Sequence, residues 1–293
     1  MIRCERLSKS YEEGGGISSL TLQVKPGEAL GVLGPTDAGK STLIRILMGF
    51  MRPDSGSARI FDRDCFEARH IIQREVAYAP VSPVIEPRVT GEGWLRFQAR
   101  YQGGFNPQKA RQLSERLDIQ LTGQARLLGE AGRKKLGLMA ALMKDANVTI
   151  LDEPFHGLDP MDKNALTDLI REHQGEGKAM LITSRVLEEV QRLSSQVAII
   201  RRGRLVLTQP VEALALTRQK VYHITFQDTA QAVAFAGEWE TAVEVIGSRV
   251  MVAIPASPQV LIRTLGKYTV LDLVGGREDS EESFLRYHGD DVV

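Results

Sequence analysis

Eight consecutive residues, Gly34-Pro35-Thr36-Asp37-Ala38-Gly39-Lys40-Ser41, carry the spacing GxxxxGK[ST], a pattern suited to gripping phosphate. Backbone N–H groups of such a loop, with the positive end of the helix that follows, cradle β- and γ-phosphate oxygens, and Lys40 adds a full charge. Ser41 supplies a hydroxyl to Mg²⁺, and Thr42 assists at the α-phosphate. Further along, the apolar run Val148-Thr149-Ile150-Leu151 ends in Asp152-Glu153. A carboxylate that faces a metal shell (Asp152) beside one that orients and deprotonates an attacking water (Glu153) is what phosphoryl hydrolysis requires. Such pairs also occur on ordinary surfaces, and the phosphate loop upstream gives this one its chemical reading.

These groups need elements to hold them. Residues 19 to 34 alternate as a strand (Leu20, Leu22, Val24), turn at Pro26-Gly27 and continue as a second apolar run, Ala29 to Leu33, which delivers the loop. Ser41 to Phe50 places Leu43, Ile44, Leu47 and Met48 at helical spacing, so the order is strand, loop, helix. Val148 to Leu151 and Ala179 to Thr183, the latter after Gly175-Glu176-Gly177, are two further buried strands of a parallel α/β sheet. Residues 84 to 135 read as a helical insertion, with helices over Gly93 to Tyr101 and Pro107 to Leu117 and breaks at Pro83, Pro87 and Gly103-Gly104. After Gly203 the pattern changes to strand (Lys220 to Gln227), helix (Thr229 to Gly237), strands (Ala242 to Ile246, Arg249 to Ile254), helix (Ser257 to Gly266) and strand (Thr269 to Val274). That βαββαβ order predicts a small ferredoxin-like α+β sandwich, with a closing helix over Ser280 to Tyr287. Tyr222, His223 and Trp239 are read as packing residues of this sandwich.

The chain has 293 residues, 43% of them apolar, enough for one large domain and a smaller one. The expected division is 1–215 and 216–293. With 37 basic and 37 acidic residues no global field draws the chain to nucleic acid. Cys4 and Cys65 are the two cysteines, too far apart in sequence for a metal or redox motif. No cleavable signal is evident, and the longest apolar stretches, such as Leu136 to Met143, fall short of the roughly 20 residues of a membrane span. A membrane role is therefore expected through a separate permease chain, with the protein peripheral on the cytoplasmic face.

Asp152-Glu153-Pro154 runs into Gly157-Leu158-Asp159-Pro160, and on this spacing residues 1 to about 210 resemble the ATP-binding subunits of ABC transporters, above all those encoded apart from their permease. The resemblance implies a P-loop NTPase cassette with a mixed sheet and a helical subdomain. It implies ATP and Mg²⁺ as cofactors, held by Gly34 through Thr42 with Asp152, and stacking of Tyr11 on adenine. Pro53-Asp54-Ser55-Gly56, Ser184, Leu187-Glu188-Glu189-Val190 and Gly203-Arg204 fit its remaining segments, and Phe284 to Gly289 resembles the end of its C-terminal extension. Two such subunits clamp two ATP molecules head to tail, with Asp159 at the seam, and closure moves the permease.

Departures from the family pattern are equally specific. Thr36-Asp37 stands where the family has Asn-Gly. Aspartate tolerates left-handed backbone, so the loop is expected to survive with affinity lowered by repulsion. The LSGGQ signature aligns with Leu128-Gly129-Glu130-Ala131-Gly132, which lacks the hydroxyl and adds a carboxylate where the partner's phosphate docks. Arg133, Lys134 and Lys135 either offset that repulsion or form a solvated basic helix start. Val81 replaces a water-coordinating glutamine. Arg185 replaces a histidine and either holds a γ-phosphate with its fork or is filler. His156 is expected to pack its loop. The resemblance thus implies an exporter subunit of slow hydrolysis, paired with a more complete ATPase subunit rather than with itself, a groove near Val84 to Arg88 receiving the permease. The alternative is a nucleotide-gated subunit with little or no ATPase activity.

Overall fold

The computed structural model describes residues 1–100, 104–175, 177–216, 220–239, 243–254 and 258–277. The chain divides into two compact units, one spanning Met1–Val211 and one beginning at Glu212.

The first unit is built on two sheets. Strands β3 (Ala29–Leu33), β7 (Val148–Asp152) and β8 (Ala179–Ser184) are buried at every residue, as their continuous apolar runs demand of strands covered on both faces. With β6 (Val76–Ala79), β9 (Gln196–Arg201) and β10 (Arg204–Pro210) they form a six-stranded sheet of order β10-β9-β3-β8-β7-β6. All neighbours are parallel except the β10–β9 pair, so the sheet is mixed. A second, antiparallel sheet has the order β2-β1-β4-β5, from β1 (Ile2–Ser10), β2 (Gly16–Val24), β4 (Ser55–Ile60) and the short β5 (Arg63–Asp64).

Helix α1 (Lys40–Leu47) lies between these sheets, and Leu43, Ile44, Ile46 and Leu47 share one core with Leu7, Leu20, Val32 and Ile150. It ends at Leu47, short of the expected Phe50, because Gly49 turns the chain at φ 69°. Helix α2 (Arg69–Glu75) leads into β6. Cys4 and Cys65 are both buried in this core and are free thiols. Burial, reinforced by Asp64, pushes Cys65 up to about 12, and burial raises Cys4 as well.

The far face of the six-stranded sheet is covered by helices. Helix α3 (Gly91–Ala99) is capped by Thr90, whose Oγ1 accepts from Gly93 N at 3.0 Å. Helix α4 (Pro107–Arg116) starts with proline after an Asn106 cap, as helix N-termini favour. A 3₁₀ turn (Ala125–Leu127) precedes α5 (Glu130–Met143), which begins inside the expected insertion and runs on to Met143 through the buried residues Leu136 to Leu142. Helices α6 (Pro160–Gln174) and α7 (Leu187–Leu193) are the crossovers from β7 to β8 and from β8 to β9.

On α6, His173 is 9% exposed and its Nε2 lies 3.2 Å from Thr149 Oγ1. Burial, with Lys178 and Lys109 nearby, lowers its pKa from 6.5 to about 4. The folded state therefore resists a proton that the unfolded chain accepts, so the contribution is fully present above pH 6.5 and is lost as pH falls toward 4. Urea unfolding at pH 7 and pH 4.5 should show wild type losing about 2 kcal/mol more than His173→Gln across that interval. Equal losses would assign the acid sensitivity elsewhere.

Helix α8 (Val211–Leu216) stands at the boundary of the units. In the second unit β11 (Lys220–Phe226), α9 (Thr229–Glu238), β12 (Val243–Ile246), β13 (Arg249–Ile254), α10 (Gln259–Leu265) and β14 (Val270–Arg277) follow the expected βαββαβ order. The sheet order is β12-β13-β11-β14 with every neighbour antiparallel, the ferredoxin-like arrangement. Phe226, Phe235, Val250 and Leu261 form its core, Tyr222 packs against them, and Trp239 stacks on Phe235 at 5.6 Å. His223 does not pack: it is exposed, because it alternates with the inward-facing Ile224. The helix expected over 280–287 and the resemblance over 284–289 lie outside the described residues, as do Tyr101 and Gly103.

Candidate functional site

The loop from Gly34 leaves the carboxyl end of β3 and enters α1, the position where open α/β sheets place their ligands. Two of its glycines are required by close approach. A Cβ on Gly34 would sit 2.5 Å from Ile200 O, and one on Gly39, at φ 105°, would sit 2.7 Å from both Gly16 O and Ile17 Cγ2. Asp37 adopts φ 64°, the left-handed region that aspartate tolerates. The turn is fixed by Ala38 N donating to Pro35 O at 3.2 Å and by Gly203 N donating to Ala38 O at 3.0 Å. Thr36, Asp37 and Ser41 are exposed, whereas Ala38 and Thr42 are buried.

Lys40 is 5% exposed and curls its ammonium back onto the loop, donating to Gly34 O and to Pro35 O, the latter at 2.8 Å. The same ammonium is 3.6 Å from Glu153 Oε1. Asp152, at the end of β7, is buried, and its Oδ1 accepts from Thr183 Oγ1 at 2.7 Å. Burial raises its pKa, against the lowering influence of Thr183 and Lys134. Glu153 takes φ 42°, a strained backbone for a non-glycine residue, and its N–H is held by Thr183 O at 3.1 Å and Thr183 Oγ1 at 3.0 Å.

Arg185 reaches across this group. Its Nε donates to Glu153 Oε2 at 3.0 Å, its Nη2 to His156 Nδ1 at 3.0 Å, and Nη1 lies 3.5 Å from Thr36 Oγ1. His156 therefore does not pack its loop as expected. It is exposed and shares the arginine fork with Glu153, because the turn from Phe155 to Leu158 buries those two residues and turns the imidazole outward.

Tyr11, Gly34's neighbours Pro35 through Thr42, Val81, Asp152, Glu153, His156 and Arg185 line one cleft of ≈ 490 Å³. Tyr11 Oη lies 3.2 Å from Thr42 Oγ1 and donates to Met51 Sδ at 3.3 Å, so the ring lies beside the start of α1. The cleft also takes in Arg45 and the glycines 14–16, which sequence reasoning passed over. Three successive glycines directly after the Glu12-Glu13 pair were the available signal, and all three have positive φ.

The signature-aligned residues lie at the start of α5, where Gly129 is the N-cap without a side-chain cap and Glu130 is the first helical residue. The basic triplet behind them is not solvated as a whole. Only Arg133 is exposed, while Lys134 and Lys135 are 3% and 8% exposed. Lys135 forms an ion pair with Asp162 of α6 at 2.7 Å. Lys134 Nζ donates to Pro80 O at 3.1 Å, Val81 O at 3.0 Å and Asp152 O at 3.0 Å, and burial lowers its pKa to about 8. Asp159 is exposed and caps α6, its Oδ1 accepting from Asp162 N at 2.8 Å.

The residues present fit a magnesium–triphosphate group. Asp152 is a buried carboxylate with one oxygen committed to Thr183, Ser41 offers an exposed hydroxyl nearby in the same cleft, and Lys40 holds carbonyls that phosphate oxygens can replace. Among the described residues no cluster of three or more His, Cys, Asp or Glu side chains is placed to hold a metal alone. Asp152 and Ser41, lining one cleft, make the donor pair expected where Mg²⁺ takes few protein ligands and completes its shell with phosphate and water.

The family described as "ABC transporter" matches residues 17–156. The chain is 30% identical over 218 residues to "Nod factor export ATP-binding protein I" of Paraburkholderia xenovorans, covering 73% of this chain and 72% of that protein. It is 26% identical over 291 residues to the protein of the same name from Rhizobium etli, covering 97% and 92%. A solved structure titled "Structure of ATP binding subunit of ABC transporter" superimposes with a TM-score of 0.66 at 24% identity, covering 73% of this chain and 91% of that one, which shows the shared fold.

Proposed function

The chain belongs to the ABC transporter family as one of its ATP-binding subunits, and from that premise we propose that it binds MgATP in the cleft beneath the 34–41 loop. Closure upon a second ATP-binding subunit then drives a separate membrane permease. The observation that carries this reading is the convergence of Lys40, from the start of α1, with Asp152 and Glu153, from the end of β7, at the carboxyl ends of β3 and β7. Lys40 exchanges its loop carbonyls for β- and γ-phosphate oxygens. Ser41 and Asp152 would hold Mg²⁺, which would neutralise phosphate charge. Glu153 would accept a proton from the attacking water, and the Arg185 fork, which lines the same cleft as Lys40, would hold the γ-phosphate.

Hydrolysis by a pair of identical chains would be slow. Glu130 begins α5 where the partner's phosphate would dock, and Val81 offers no polar side chain to the cleft. A partner with a complete signature would supply the missing clamp to this chain's own nucleotide, which favours a mixed pair. The names of the relatives speak of export, and we extend that direction to this chain. Among the described residues no helix is long and apolar enough to cross a membrane, so attachment at the cytoplasmic face would come through the permease.

Calorimetric titration of the chain with MgATP should show weak saturable binding, with Kd in the range of about 10–100 µM. No heat of binding up to about 1 mM would remove the reading. Purification of the native complex should bring down a permease and a second, different cassette subunit. Two copies of this chain with brisk turnover would overturn the mixed pairing.

A further inference from the structure

The Lys134 ammonium is 3% exposed and donates to three main-chain carbonyls, those of Pro80, Val81 and Asp152. An ammonium has three N–H donors, and here each is satisfied by a different residue. Those acceptors belong to separate segments, the turn after β6 and the last residue of β7, while the lysine belongs to the first turns of α5. Its bond goes to the carbonyl of Asp152 and not to the carboxylate, whose Oδ1 accepts from Thr183 Oγ1. The adjacent Lys135 adds a tie from the same helix to α6 through Asp162.

Resting on the MgATP reading above, we propose that Lys134 is a positioning residue: its ammonium fastens the start of α5, the 80–81 turn and the end of β7 into one unit. The unit fixes where the Asp152 carboxylate stands relative to the phosphate loop. It also ties the N-terminal end of α5 to the segment that carries Asp152 and Glu153. Displacing the α5 start then shifts the metal-binding end of β7, and the reverse holds equally.

The test uses the full chain and Lys134→Met, which keeps the length of the side chain and removes its donors. ATP affinity is measured with Mg²⁺ and with EDTA. The gain conferred by Mg²⁺ should fall by about tenfold in the variant, with the affinity in EDTA changed by less than about threefold. Hydrogen exchange without nucleotide should speed up by about tenfold or more in peptides spanning 131–138 and 149–155, and stay unchanged in α1 and in the second unit. Equal loss of affinity with and without Mg²⁺, or unaltered exchange in both peptides, overturns the proposal. If Lys134→Met does not fold, Lys134→Gln is read on the same scales, a partial form of both changes being expected and none overturning it. Wild type failing to bind ATP under either condition would sink the MgATP reading instead, while the exchange result would still decide the tie.

Discussion

Replacing Lys40 by alanine should weaken MgATP binding by at least about 100-fold, the loss of roughly 2.7 kcal/mol, measured by the same titration as for the wild type. The magnitude follows from what the ammonium does. It is 5% exposed, so its interactions with phosphate are made largely out of water, where charge-assisted hydrogen bonds are strongest. It also lies 3.6 Å from Glu153 Oε1, and without it the negative charges of Asp37, Asp152 and Glu153 meet a triphosphate with Arg185 and Arg45 left in the cleft lining to offset them. The variant should remain folded, since α1 is anchored by Leu43, Ile44, Ile46 and Leu47 and not by the lysine. Retained affinity would mean that nucleotide is held elsewhere.

Replacing Glu153 by glutamine, in the complete complex, should reduce steady-state ATP turnover by about 100-fold or more, with affinity unchanged or improved. The amide keeps the shape of the side chain and its bond from Arg185, but cannot accept the proton. It also removes a negative charge 3.6 Å from the Lys40 ammonium, which favours phosphate. Undiminished turnover would place the chemistry in the partner's site and make this chain a subunit that closes upon nucleotide without hydrolysing it.

The framework of this cleft was legible in the sequence because its parts are local. An apolar run, a glycine-rich turn and a helix are contiguous between Ala29 and Leu47, and the run ending in Asp152-Glu153 needs only its own five residues to be read as a buried strand. The βαββαβ order of the second unit was legible for the same reason, each element having its own periodicity. What escaped depends on approach in space. Nothing near Lys134 in sequence announces the carbonyls of Pro80 and Val81, so the basic triplet was open to reading as a phosphate contact or a solvated helix start, and the burial of two of its three members was not foreseen. His156 and Arg185 lie far apart in the chain and meet only because β7 and β8 are adjacent. Asp37 was the converse case. Its residue type alone pointed to a left-handed backbone, and it adopts φ 64°; the effect of its charge on affinity is a matter for titration.

The state of Cys4 and Cys65 bears on how motions of this protein can be followed. They are the chain's only cysteines, both are buried, and Cys65 is held near 12 by its surroundings, so little thiolate is present at neutral pH for maleimides to attack. A cysteine engineered at an accessible side chain away from the expected permease groove and subunit seam, such as Val260 at 65% exposure, would take up a fluorophore or spin label over a nearly silent native background. Distances across an assembled transporter can then be read without first stripping the protein of its own thiols.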